Sequence, residues 1–160
     1  MFHLVMYRPQ MPENAGNIIR LSANCGAPLH FIGPLDFFLD NKRMLRAGLD
    51  YHEIANLKVH TSFERFMEEE KPSRLIASTT RGSVIHTEFK FQDGDYIMFG
   101  RETSGLPDEV MNLIAPELRI TIPMVPQSRC LNLANSAAVV AYTAWQQLGY
   151  PGAKHLIAAQ

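Results

Sequence analysis

Residues 96–114, YIMFGRETSGLPDEVMNLI, decide the fold class. The first four residues, Tyr96–Phe99, are apolar and lead into Gly100, a pattern typical of a buried strand that ends in a turn. Residues 107–114 begin with a proline and have the length of a short helix. A strand followed directly by a helix is the unit from which α/β proteins are built.

The same alternation continues on both sides of this stretch. We predict further strands at 2–7, 29–32, 57–60, 74–78 and 119–122, and further helices at 12–25, 42–47, 62–70 and 131–148. This order predicts an α/β fold with a mainly parallel sheet flanked by helices. The length of 160 residues fits a single domain, 1–160. In such a sheet, ligands bind beyond the carboxyl ends of the strands.

The composition is that of an ordinary globular protein, with 46% hydrophobic and 19% charged residues. No stretch approaches the roughly 20 apolar residues of a membrane span. The apolar start, 1–7, lacks the flanking features of a signal peptide, so we expect a cytoplasmic protein without membrane contact. The formal net charge of −1 argues against a large basic nucleic-acid surface and leaves room for a small RNA footprint built from a few arginines.

The cysteines and histidines suggest neither a disulfide framework nor a metal centre. Cys25 and Cys130 form no CxxC pair, which favours a reducing compartment. The six histidines are scattered, without an HxxxH motif or a cysteine at ligand spacing. We therefore expect no metal.

The first chemical motif is PENAGNIIR, 12–20. On a helix, Asn14, Asn17, Arg20 and Asn24 share one face. Asparagine has a low helix propensity, so three asparagines on one face indicate that they bind something. The alternative is a solvated helix face.

Two further motifs follow strands. FGRETSGLP, 99–107, has neither the GxGxxG spacing of a dinucleotide site nor the GK[ST] of a P-loop. It is either a plain loop or a turn in which glycines let the backbone approach a ligand. IPMVPQSRCLNLANSAAV, 122–139, clusters Ser128, Arg129 and Asn132 before the last helix. The fixed charge of Arg129 suits an anion, whereas Asn132 could simply be a helix cap. No GxSxG or Cys–His pattern indicates nucleophilic catalysis.

Taken in order, the three motifs resemble those of the SPOUT methyltransferases, a class of knotted enzymes. The strings KRMLRAGLDYHE, 42–53, and QLGYPGA, 147–153, extend the resemblance over nearly the whole chain. Within the class, the chain resembles the enzymes that methylate the ribose of tRNA nucleotide 34. The resemblance implies a homodimer with a shared active site and a deep C-terminal trefoil knot, a feature that chains generally avoid.

The resemblance also implies an activity and the residues that perform it. The chain would transfer a methyl group from S-adenosylmethionine to the ribose 2′-hydroxyl of cytidine or uridine 34 in tRNA, with leucine tRNAs as substrates. The implied catalytic residues are Arg20, Asn14, Ser128 and Asn132. The implied cofactor-binding residues are Ser78, Gly100, Ile122, Cys130 and Leu131. The implied RNA-binding residues are Arg129, Lys42, Arg43 and Arg46, and the last three could equally form a solvated helix face.

Arg20 and Cys130 differ in chemistry from what their implied roles would suggest. Because the pKa of arginine lies above 12, we expect Arg20 to position the substrate and stabilise charge, with the proton acceptor left open. Cys130 stands where the resemblance leads us to expect serine. The change is harmless if the contact is through the backbone, but it would weaken a hydroxyl role, because a thiol is a poorer hydrogen-bond donor.

Three other functions stay open at this point. The substrate could be another tRNA position or a ribosomal RNA. The chain could be a non-catalytic RNA-binding module with the same fold, although the intact motifs argue against it. A dinucleotide-dependent enzyme is disfavoured by the missing GxGxxG.

Overall fold

The computed structural model describes residues 1–39, 44–45 and 48–154. The strands are β1 His3–Tyr7, β2 Leu29–Ile32, β3 Leu57–His60, β4 Leu75–Ser78, β5 Val84–Ile85, β6 Tyr96–Phe99 and β7 Arg119–Thr121. The helices are α1 Pro12–Cys25, α2 Tyr51–Ile54, α3 Phe63–Glu70, α4 Asp108–Met111 and α5 Leu133–Gln147, with a 3-10 turn at Pro116–Leu118. All six predicted strands are confirmed, whereas β5 and α2 were not predicted.

Two predicted helices differ from the observed ones. The helix predicted over 107–114 is regular only over Asp108–Met111, and the last helix begins at Leu133 instead of 131. The helix predicted over 42–47 lies largely outside the described residues.

The seven strands form one sheet in the order β3-β2-β1-β6-β4-β7-β5, and each neighbouring pair is parallel. The prediction of an α/β fold with a parallel sheet is confirmed. The chain first builds the half β1-β2-β3 and then the half β6-β4-β7-β5, so the strand order reverses beside β1. Such a reversal opens a crevice at the carboxyl ends of the strands.

Helices cover both faces of the sheet, which explains why the central strands are apolar on both sides. On one face, Ile18 of α1 and Val140 of α5 belong to the same buried cluster as Leu4 and Phe31. On the other face, Phe66 of α3 and Val110 of α4 belong to a second cluster with Val5 and Met98.

Local sequence sets the ends of α1. Pro12 occupies its first turn, where no backbone N–H is needed. Gly26 ends the helix at φ 68°, and its N–H bonds to the carbonyl of Ser22. Both ends lie where the sequence placed them. The trefoil knot stays a prediction of the resemblance. Within the described part of the chain, no helix is long and apolar enough to cross a membrane.

Candidate functional site

A cavity of about 720 Å³ opens at the carboxyl ends of β4, β6 and β7. This volume is typical of a site for a small molecule or cofactor. The cavity walls bring together the five residues predicted to bind the cofactor: Ser78, Gly100, Ile122, Cys130 and Leu131. Cys130 is exposed and unpaired among the described residues.

Gly100 lies at the start of a tight turn, in which the backbone of Gly105 and Leu106 returns close to its Cα. A Cβ at this position would lie 2.2 Å from the carbonyl carbon of Gly105 and 2.3 Å from the nitrogen of Leu106. The two ends of the turn are joined by a pair of backbone hydrogen bonds between Arg101 and Gly105, of 3.0 and 3.1 Å. The tight turn itself therefore requires glycine, independently of any ligand.

Glu102 is the hub of the hydrogen bonds beside the cavity. Its Oε2 accepts the N–H of Gln10 at 2.8 Å, and its Oε1 accepts the N–H of Met11 at 3.0 Å. Oε1 also accepts the side-chain amide of Asn14 at 3.2 Å. One carboxylate thus satisfies two backbone donors before α1 and the first asparagine of the first motif.

Asn14 links this hub to the last motif. Its Oδ1 accepts the side-chain amide of Asn132 at 2.8 Å, while Oδ1 of Asn132 caps α5 through the N–H groups of Ala134 and Asn135. All three chemical motifs are therefore joined by the series Glu102–Asn14–Asn132. Both amide ends of Asn14 are engaged within the protein, and its side chain is 5% exposed. Asn14 thus lies at the buried edge of the predicted polar face, and only Asn17, Arg20 and Asn24 are exposed.

The network keeps Glu102 ionised. Burial pushes the pKa of its carboxyl upward. The hydrogen bonds from Asn14, Gln10 and Met11 outweigh burial and hold that pKa below its ordinary value. Sequence reasoning included Glu102 in a motif but gave it no role, because its partners lie about 90 positions away, as the separations of 88, 91 and 92 residues show.

Arg20 is on the exposed face of α1 and is turned toward a different segment. Its Nε bonds to Oε1 of Glu53 at 3.1 Å, and its Nη2 donates to the carbonyl of Gly48 at 3.0 Å. Its side chain is 49% exposed. Within one described chain, Arg20 is therefore not brought together with the cavity.

Ser128 and Arg129 lie on the exposed loop between β7 and α5. The hydroxyl of Ser128 donates to the carbonyl of Val125 at 2.7 Å and closes a turn. Neither residue is among the described walls of the cavity, whereas Asn132 is. Lys42, Arg43 and Arg46 lie outside the described residues.

Arg81 is a cavity residue that the sequence did not reveal. Its Nη1 pairs with Oδ1 of Asp108 at 2.7 Å, and its Nη2 donates to the carbonyl of Leu106 at 3.1 Å. It therefore ties the loop after β4 to the start of α4. No local pattern marks such a residue, since its partners are 25 and 27 positions away.

Comparison with known proteins places this geometry in a family. Residues 1–142 match the model of the SpoU rRNA Methylase family. A protein of Escherichia coli (strain K12), named tRNA (cytidine(34)-2′-O)-methyltransferase, is 52% identical over 153 residues, which cover 96% of this chain and 98% of that protein.

Solved structures agree with this placement. One, described as giving insight into the 2-OH methylation of C/U34 on tRNA, is 43% identical with a TM-score of 0.83 and covers 93% of this chain and 91% of that one. The SpoU methyltransferase AviRb from Streptomyces viridochromogenes, in complex with AdoMet, shares the fold at 23% identity and a TM-score of 0.79, over 92% of this chain and 60% of its own. Since the family model and the Escherichia coli relative span most of the sequence, the chain belongs to the SpoU rRNA methylase family.

Proposed function

We propose that this chain transfers a methyl group from S-adenosylmethionine to the ribose 2′-hydroxyl of nucleotide 34 in tRNA. The observation that carries the proposal is the cavity at the carboxyl ends of β4, β6 and β7, beside which the Glu102–Asn14–Asn132 series joins all three motifs. The name of the Escherichia coli relative supports nucleotide 34 as the target.

The cavity suits the cofactor in size and in chemistry. Its walls combine apolar residues such as Phe99, Ile122 and Leu131 with polar ones such as Ser78 and Asn132, and its volume of about 720 Å³ lies in the usual range for a small-molecule site. The residues that would hold the cofactor are Ser78, Gly100, Ile122, Cys130 and Leu131. A contact through the backbone would make Cys130 equivalent to serine at this position. The cofactor supplies an already activated methyl group.

The chain's own residues must then hold the ribose oxygen in line with that methyl group. Asn132 is placed for this at the cavity wall, and Ser128 lies on the loop that leads to it. Arg20 would stabilise charge on the nucleotide. Because Arg20 of one chain faces away from its own cavity, we assign it to the cavity of a partner subunit in a homodimer.

Surface chemistry supports both the dimer and the RNA partner. Large apolar side chains near the cavity and on α5 are exposed in the single chain, among them Val125, Leu131, Val139 and Tyr142. A partner subunit would cover such a patch. Arg129 forms no ion pair with any described residue and remains available for a phosphate. The proposal also gives Lys42, Arg43 and Arg46 phosphate contacts, on the resemblance alone. Leucine tRNAs as substrates and a cytoplasmic location complete the proposal.

The test is methyl transfer from labelled S-adenosylmethionine to bulk tRNA from cells that lack the modification. Nucleoside mass spectrometry and fragment mapping should locate a 2′-O-methyl group at nucleotide 34. The Arg20→Ala variant should lose transfer and still bind the cofactor.

Other outcomes would redirect the proposal. Cofactor binding without transfer to any tRNA would contradict the tRNA substrate and point to ribosomal RNA. Absence of cofactor binding would overturn the methyltransferase function and favour a non-catalytic RNA-binding module.

A further inference from the structure

A cluster of histidines lies on the half of the sheet that the cavity does not use. His3, His30 and His60 come from the neighbouring strands β1, β2 and β3. The rings of His30 and His60 contact Phe66, so the cluster lies on the face covered by α3. His30 is fully buried, and His60 is 3% exposed. The last residue of α3, Glu70, joins them. The function proposed above uses none of these side chains.

Three donor atoms in this cluster form a compact triangle. Nδ1 of His30 and Nε2 of His60 are 3.1 Å apart. Oε1 of Glu70 is 3.8 Å from each of these two nitrogens. Donors placed tetrahedrally around zinc at its usual bond lengths stand about 3.3 Å apart. The edge between the two imidazoles is close to this value, and the two edges to Glu70 are longer. A small inward movement of the Glu70 carboxylate would therefore complete three corners of such a site, with the fourth corner left for water.

The remaining polar atoms of the three residues are held by outer partners. Nδ1 of His60 is 2.7 Å from Oε2 of Glu69, and Nε2 of His30 is 3.0 Å from Nδ1 of His3. The hydroxyl of Tyr96 donates to Oε2 of Glu70 at 3.3 Å. Metal-binding histidines usually have their second ring nitrogen fixed in this way, and a carboxylate partner makes the ligating nitrogen more basic.

We propose that His30, His60 and Glu70 form a binding site for one zinc ion. Two imidazoles and one carboxylate are a donor set that zinc accepts in proteins. The ion would tie the end of α3 to β2 and β3. His30 would carry its proton on Nε2 and donate a hydrogen bond from there to Nδ1 of His3. The site would act on stability and not on methyl transfer, because it lies on the opposite half of the sheet from the cavity. The proposal departs from the expectation of no metal, which rested on spacing along the chain.

Lys58 would compete with zinc for the carboxylate of Glu70, and this competition can be tested. Its ammonium group is 3.0 Å from Oε1 of Glu70, while its side chain is 63% exposed. In the absence of metal, Lys58 neutralises the carboxylate that zinc would use. Removal of this ammonium should therefore strengthen zinc binding, whereas removal of a ligand should weaken it.

The experiment is equilibrium dialysis of the full chain, without a histidine tag, against zinc chloride. Every protein carries Cys130→Ser, so that the exposed thiol does not bind the metal. We expect one zinc per chain and a higher melting temperature with zinc. Affinity should fall by roughly tenfold or more in Glu70→Gln and His60→Gln, and it should rise in Lys58→Met. The matched control is His86→Gln, which removes a buried histidine outside the cluster and should leave affinity unchanged.

Several results would overturn the proposal. One is the absence of saturable zinc binding to the natural cluster. Another is undiminished zinc affinity in both Glu70→Gln and His60→Gln. A third is a zinc affinity in Lys58→Met that is unchanged or lower. Because Lys58 is exposed, its variant keeps the proposal testable even if a ligand variant fails to fold.

Discussion

At the scale of single residues, Glu102 satisfies more donors than any neighbouring side chain at the site. It accepts two backbone N–H groups and the amide of Asn14. A charged acceptor is suited to this position because hydrogen bonds to ionised groups are stronger than neutral ones. Its replacement would leave donors without a partner, and an unsatisfied donor costs more than a missing contact.

We predict that Glu102→Gln lowers the free energy of unfolding by about 1–2 kcal/mol, because an NH₂ group would face N–H donors. Methyl transfer should fall as well, since Asn14 would no longer be held toward Asn132. Chemical denaturation measures the first effect, and the tRNA assay measures the second. Glu117→Gln, at an exposed carboxylate, serves as the control. Equal stability of the two variants would contradict the role of Glu102.

The stability difference between the natural chain and Glu102→Gln should depend on pH. The pKa of Glu102 is lower in the folded chain than in the unfolded chain. Its contribution to stability is therefore complete above the unfolded value of about 4.3 and is lost as the pH falls through the folded pKa. The difference in melting temperature between the natural chain and Glu102→Gln should be constant near neutral pH and narrow in acid. A difference that widens in acid would show the opposite sign.

At the scale of elements, the site depends on how a strand ends and a helix begins. β6 ends in a turn that admits only glycine at position 100, since a Cβ there would overlap Gly105 and Leu106. α5 begins at Asn132, whose Oδ1 accepts two backbone N–H groups while its amide reaches Asn14. The two elements therefore fix two walls of the cavity.

Gly100→Ala should destabilise the protein and weaken cofactor binding, because the added carbon would lie 2.2 Å from the backbone of the same turn. The matched control is Gly16→Ala on α1, where no heavy atom of the described residues, apart from the helix's own backbone, lies within 4 Å of the added Cβ. That variant should be neutral or more stable by about 0.5–1 kcal/mol, since alanine favours helix. Thermal unfolding compares them. Equal melting temperatures would refute the steric requirement at position 100.

Asn132 has two roles that substitution can separate. Asn132→Ala should cost about 0.5–2 kcal/mol, the usual value of a helix cap. Asn132→Asp should keep the cap, because a carboxylate also accepts N–H groups, and should lose the donated bond to Asn14. We therefore expect Asn132→Asp to retain most of the stability and little of the methyl transfer. Denaturation curves measure stability, and single-turnover assays measure methyl transfer. Equal loss of both properties in Asn132→Asp would contradict the separation of the two roles.

At the scale of the whole molecule, the two halves of the sheet carry different sites. The half β6-β4-β7-β5 carries the cavity, and the half β1-β2-β3 carries the histidine cluster. Arg20 belongs to neither location within one chain, because Glu53 and Gly48 hold it on the outside of α1. We therefore propose that a second subunit presents Arg20 to the nucleotide.

Mixing two inactive variants tests this arrangement. A mixed dimer of Arg20→Ala and Asn132→Asp has one site in which the intact Asn132 of one chain meets the intact Arg20 of the other. After random exchange of subunits, about one quarter of natural activity should return, because half of the dimers are mixed and each has one intact site. Each variant alone is the control. Continued inactivity of a mixture that does exchange subunits would place Arg20 in the site of its own chain.

Much of the fold follows from local sequence. The apolar runs fix the six predicted strands, and Pro12 and Gly26 fix the ends of α1, because these signals depend on neighbouring residues only. α4 is shorter than predicted, since after Met111 the chain turns toward Pro116 and packs through Ile114 instead of continuing as helix. The resemblance pointed to Asn132 and to five predicted cofactor-binding residues, and all six line the cavity, while their roles stay predictions.

What the sequence alone determined is the order of strands and helices and the presence of three polar motifs after strand ends. The tertiary structure decided which side chains meet. Glu102 reaches Asn14 across 88 positions, and His30 reaches His60 across 30. Only the tertiary structure turned Asn14 inward and Arg20 outward from the same helix. The physical reason is that propensity and capping act within a few residues, whereas these contacts form only when a parallel sheet brings distant strands side by side.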